Sequence, residues 1–212
     1  MSTTKEQQFS SSSTAIRVEP VQARSAARVN ALLDAACATM HEFGYEQLTT
    51  AMVAEKAGAS IGTVYRYFPD RVAVLQAVAA RNLERTLEVL GQRLRSDAPA
   101  SLAGSLEVAV DALVEVFRNE PGFRSLRVGD VLDIRPVASA RGGNSEIARV
   151  IRDDAEQRAG LRLDSDARVA VESAVDVIDA LLGRAFLRSD RGETSLIDEA
   201  KRIAALAVTG LA

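Results

Sequence analysis

The chain has 212 residues, 47% of them hydrophobic, with a formal charge of −3 and a pI near 5.4. That is enough apolar material to bury a sizeable core, and it is not the balance of a generally basic nucleic-acid binder, for which a pI above about 9 is expected. A single cysteine excludes a disulfide framework; with no charged-then-apolar leader and no apolar run approaching about 18 residues, the chain reads as a soluble cytoplasmic protein without a membrane partner.

Residues 1–24 form an arm rich in Ser, Thr and Gln with few large apolar side chains, which cannot build a core. It is expected to be a flexible tail, unless Arg17, Arg24 and Arg28 reach a phosphate or an adjacent minor groove. Deleting residues 1 to 20 and measuring DNA affinity separates the two. Helix one is expected over about 26–43, with Val29, Leu32, Leu33, Ala36, Met40 and Phe43 on one buried stripe. Cys37 and His41 stand one helical turn apart, but the sequence has no further Cys or His to complete a tetrahedral site, so no metal is expected. Cys37 reads as a small core residue and His41 as a solvated or capping one.

Residues 48–75, LTTAMVAEKAGASIGTVYRYFPDRVAVL, pack two short helices, a glycine turn and the start of a third helix into little space. Thr49 or Thr50 caps the first, Gly58 ends it, Ser60 caps the second, Pro69 stops that one and Asp70 caps the third. The second short helix buries Val64 and Phe68 at an i, i+4 spacing, leaving Ile61, Gly62, Thr63, Arg66 and Tyr67 for its more exposed faces. Hydroxyls and a guanidinium hydrogen-bond phosphates or base edges, and a glycine lets the backbone come close, so these types suit a DNA groove. An ordinary turn between amphipathic helices has the same grammar. The third helix should continue to about residue 95, and another is expected from Ser101 to Glu120. A brief helix is expected over Gly122–Val128, then irregular chain rich in Pro and Gly, then helices over about 146–158, 167–188 and 195–211.

The segment resembles the DNA-binding domain of the TetR family of bacterial transcriptional regulators. Its pattern is matched by Thr49, Val53, Ala54, Ala57, Gly58, Ser60, Gly62, Thr63, Tyr65, Tyr67, Phe68, Pro69 and Arg71, with Phe43, Gly44, Tyr45 and Leu48 fitting the entry. The resemblance implies an all-α fold: a three-helix helix-turn-helix head over residues 25–72 and a larger helical ligand-binding and dimerisation domain over 73–212. On that reading Thr50, Thr63, Tyr67 and Arg71 are phosphate clamps, Ile61, Gly62 and Arg66 are base readers, and Tyr65 serves clamp or packing. Two positions depart from the family pattern. Arg71 stands where lysine is usual and keeps the charge, whereas Ile61 stands where a polar residue is common and suggests contact with a thymine methyl.

From Arg24 to Arg71 five basic residues face five acidic ones, so the head is neutral and a modest salt slope is expected. The last two helices are apolar on more than one face, which points to a subunit interface, and the resemblance implies a four-helix homodimer contact there. It also implies an unknown small-molecule effector, for which Phe117, Phe123, Arg124, Leu126 and Arg127 are the nearest wall candidates. The expected partner is double-stranded operator DNA read as a palindrome, with repression as the expected outcome and no cofactor. One His, one Cys and no phosphate-cradling loop offer no catalytic constellation, and the Gly142–Gly143 pair follows no strand signal, so an enzyme is not expected. The rival reading is a helical architectural or interaction protein without a discrete operator or effector.

Overall fold

A computed structural model describes residues 21–120, 122–124, 126 and 142–210. These form eight α-helices and one 3-10 turn, with no strand among the described residues. The first helix, α1 (Val21–Phe43), starts within the segment expected to be an arm. The stripe on it is buried from Leu32 to Met40, but Phe43 is 50% exposed rather than part of it. The reason is local: α1 ends there, Gly44 turns the chain at φ 84°, and the 3-10 turn Tyr45–Gln47 leads away from the core.

Helices α2 (Thr50–Lys56) and α3 (Ile61–Tyr67) are each capped as the sequence predicts, Thr49 accepting from the Met52 N–H and Ser60 from the Thr63 N–H. Gly58 sits at φ 59° between them, where the Ala59 N–H reaches the Ala54 carbonyl and the Gly58 N–H reaches that of Glu55. This is a Schellman closure: its left-handed residue strains any side chain but glycine's, and it sets the angle between the two helices. Asp70 then accepts from the Ala73 N–H and opens α4 (Arg71–Asp97), which α5 (Leu102–Asn119), α6 (Gly143–Ala159), α7 (Ser165–Ala185) and α8 (Thr194–Ala207) follow.

Two buried clusters divide the molecule. One joins Leu32, Ala36, Cys37 and Met40 of α1 to Leu48, Val53, Ala54, Val64 and Phe68, and takes Val74, Leu75 and Val78 from the start of α4. The other, built from α4 to α8, centres on Leu90, Leu106, Leu113, Phe117, Ile151, Val175, Ile178 and Leu182. Helix α4 feeds both, so the head's core runs past the expected boundary at 72 as far as Val78. Each large side chain so buried contributes about 1.5–3 kcal/mol.

A turn after α5 ties the two bodies together. Residues 122–124 and 126 form turn rather than the helix expected over Gly122–Val128, of which Arg127 and Val128 lie outside the described residues. Gly122, at φ 79°, lies so close on α1 that a Cβ there would stand 2.6 Å from the Cβ of Cys37 and 2.9 Å from its Cα. Leu126 packs into the head's cluster, and its carbonyl accepts from the buried Asn82 side chain at 3.0 Å. Arg81 bridges the same joint, donating to Asp34 at 2.7 Å and to the Cys37 sulfur at 3.1 Å.

Candidate nucleic-acid interface and regulatory groove

On α3, burial of Val64 and Phe68 holds the helix with Ile61, Gly62, Tyr65 and Arg66 outward. Those four are at i, i+1, i+4 and i+5, one continuous helical face. Ile61 is 43% exposed and Tyr65 54%, high values for large apolar bodies on a single chain. Arg66 makes no hydrogen bond or ion pair among the described residues. The Thr50 hydroxyl donates to the Tyr65 phenol at 3.4 Å, bringing the start of α2 to the edge of this face. Ser60 and Thr63 share a hydrogen bond at 2.9 Å, and half-buried Tyr67 packs on the head's core.

Arg71 is placed differently from the other expected contacts, Thr50, Ile61, Gly62, Thr63, Tyr65, Arg66 and Tyr67. Its guanidinium donates to the backbone carbonyls of Tyr45 at 2.7 Å and Glu46 at 3.2 Å, which secures the 3-10 turn to the start of α4. A charged donor on two carbonyls is a tether, and nothing in the sequence of the turn announced it. The neutral charge count of the head is also unevenly distributed. Asp70 is occupied at the α4 N-terminus, Asp34 by Arg81 and Glu42 by Lys56, the last pair at 3.0 Å. No acidic residue lies on α3 itself.

The second feature is a groove of about 670 Å³ lined by His41 of α1, Phe117 of α5, Arg124 of the joint turn and residues of α7 and the chain just after it, among them Ala180, Arg184, Phe186 and Leu187. An aromatic floor underlies it: Phe117 stacks on Phe186 with ring centroids 4.8 Å apart, and Phe123 meets Phe117 edge-on at the same distance. Arg124 donates to the Phe117 carbonyl at 3.0 Å, pairs with Asp190, and stands 5.8 Å over the Phe186 ring. Of the five residues expected on an effector wall, Phe117 and Arg124 line this groove; Phe123 and Leu126 are fully buried behind it or in the head, and Arg127 lies outside the described residues. The α7 residues were not anticipated, because only the fold brings them opposite α1. No group of three metal-binding side chains occurs among the described residues, and none of their helices is long and apolar enough to cross a membrane.

The family model for bacterial regulatory proteins of the tetR family matches residues 32–78, and that for the tetracyclin repressor-like C-terminal domain matches residues 100–207. A TetR-family transcriptional regulator from Streptomyces coelicolor is 30% identical, superimposes with a TM-score of 0.71, and aligns over 87% of this chain and 97% of its own. The chain belongs to the TetR family. Family membership accounts for both halves, the reading head with its Schellman turn and the helical body that carries the groove. The repressor KstR of Rhodococcus jostii is 44% identical over 54 residues, 26% of each chain, so the alignment spans about a quarter of that curated relative. FadR of Bacillus subtilis, solved in complex with stearoyl-CoA, shares the TetR fold at 17% identity and a TM-score of 0.61, over 86% of this chain and 99% of its own. These three proteins are transcriptional regulators rather than enzymes.

Proposed function

We propose that this TetR-family chain is a sequence-specific transcriptional repressor that reads a palindromic operator as a homodimer and lets go when a small molecule binds. The observation that carries the reading is the outward face of α3, where Ile61, Gly62, Tyr65 and Arg66 stand together with no acidic residue on that helix. One such helix covers too few base pairs to select a site. Two related by a two-fold read half-sites about 10–10.5 base pairs apart.

The surface for that two-fold is the outer side of α7, where exposed Val169, Ser173 and Val177 follow one stripe away from the groove, with exposed Leu206 on α8. The same helix buries Ala174, Ile178 and Leu182 inward, so its apolar character on two sides has a use for each. The effector role rests on the groove, which has walls on both the head and the body. A ligand releases DNA only if it binds the released arrangement better than the DNA-competent one, and a site spanning two bodies senses their arrangement.

Selection of bound sequences from a random DNA pool tests the proposal. A regulator enriches a discrete palindrome, whereas an architectural protein enriches no motif and gives a diffuse footprint. On the selected operator, replacing thymine by uracil within the half-site should weaken binding at one position by about 1 kcal/mol if Ile61 meets a methyl group. Equal affinity at all positions removes that contact.

A further inference from the structure

The groove's walls differ sharply in chemistry. Its floor is Phe117 and Phe186, continued by Ala180, Gly183 and Leu187, the last 74% exposed. Its rim carries Arg124, Arg184 and Arg188 against one carboxylate, Asp190. Arg124 is committed, paired with Asp190 and bonded to the Phe117 carbonyl. Arg184 and Arg188 make no hydrogen bond or ion pair among the described residues, and neither does His41 on the facing wall. Many other arginines in the body are matched to acids, among them Arg85, Arg93, Arg149, Arg152, Arg158, Arg168 and Arg202, in a chain whose acidic residues outnumber its basic ones. Two uncompensated guanidiniums at the mouth of an apolar groove are therefore a local excess that folding leaves unused.

We infer that this groove binds an anionic amphiphile, a carboxylate or phosphate head group on an apolar body, with Arg184 and Arg188 holding the anion and Phe117, Phe186 and Leu187 covering the body. Planar guanidiniums match carboxylate and phosphate oxygens two at a time, and such bonds strengthen beside an apolar wall. A volume of about 670 Å³ is in the range of small-molecule sites. The ligand class deepens the effector reading above and rests on it for its regulatory consequence. His41 lies three residues before Gly44, where α1 turns toward the reading helices. A ligand lodged between His41 and the end of α7 would resist any head position that narrows the gap, and so favour one head spacing over another.

The test uses the full-length chain and four probes of one tail length, all below the concentration at which they form micelles: dodecanoate, dodecyl phosphate, dodecanol and dodecyltrimethylammonium. Binding is measured by calorimetry, and operator release by fluorescence anisotropy on the selected DNA. The expected result is that an anionic probe binds at least about tenfold more tightly than dodecanol, and that the double variant R184A/R188A loses that advantage. The comparison control, R95A/R162A, removes the same charge at exposed positions outside the groove and should keep it. The tighter of dodecanoate and dodecyl phosphate identifies the head group. Equal binding of dodecanol, preference for the cationic probe, or full anion binding by R184A/R188A overturns the ligand class. Anion binding that R184A/R188A abolishes but that leaves operator affinity unchanged supports the class and overturns the effector role. Release by dodecanol alone does the reverse.

Discussion

At the scale of single residues, two arginines of the head, five positions apart, have been given different work. Arg66 is exposed and has no partner among the described residues, so Arg66→Ala should cost about 1–3 kcal/mol of operator affinity without touching the fold. Arg71 holds the carbonyls of Tyr45 and Glu46, and its removal should loosen the turn that aims α2 and α3. Salt titration separates a contact from a tether. If Arg71 acts through the turn, Arg71→Ala lowers affinity with the slope of log K against log salt intact, whereas loss of a phosphate contact reduces that slope by about one. Cys37 makes a third case. Burial pushes its thiol up from the ordinary range, with Arg81 pulling the other way. Its protonated form is thus favoured in the folded state, so the unfolded chain ionises first. The resulting stability loss begins as pH rises past the free-thiol value of about 8.5, not on the acid side. Urea titrations of the wild type and Cys37→Ser at pH 7 and pH 9.5 should show the wild type losing more on going alkaline.

At the scale of elements, the start signals of these helices were legible because each closes within one turn of chain. Thr49, Ser60, Asp70 and Ser101 all accept from an N–H three residues on, a bond that depends on local sequence and little else. Ends were less legible. Phe43 continues the apolar period of α1 yet lies outside the core, because periodicity carries no information about where the partner helices stop. Two of the glycines at positive φ make the contrast measurable. Gly58 has open space where a Cβ would go, so Gly58→Ala should cost about 1 kcal/mol of backbone strain. Gly122 has Cys37 there, and Gly122→Ala should cost about 3 kcal/mol or more, since strain and overpacking add. Equal losses of stability in urea for the two variants would show that the joint yields easily.

At the scale of the whole molecule, the surface proposed for the two-fold is the outer face of α7 with α8. Val177→Glu combined with Leu206→Glu places charges on exposed positions that the dimer would bury, while leaving the inward Ile178 and Leu182 untouched. Sedimentation should then find monomers at concentrations where the wild type pairs, and operator affinity should drop by about a hundredfold as the second half-site no longer adds to the first. A dimer that survives the double change places the two-fold elsewhere.

Much of this protein is written in bonds that span three or four residues. The caps and the Schellman turn at Gly58 follow from neighbours in the chain, and they already define the helix-turn-helix. Other features depend on partners far apart in sequence. Arg71 meets a carbonyl 26 positions away, Asn82 one 44 away, and Arg124 a carboxylate 66 away. No local pattern specifies such pairs, because they exist only once helices with separate hydrophobic faces have packed. Local hydrogen bonding thus determined the helix-turn-helix, and tertiary packing decided what holds it in place and where a groove opens between head and body.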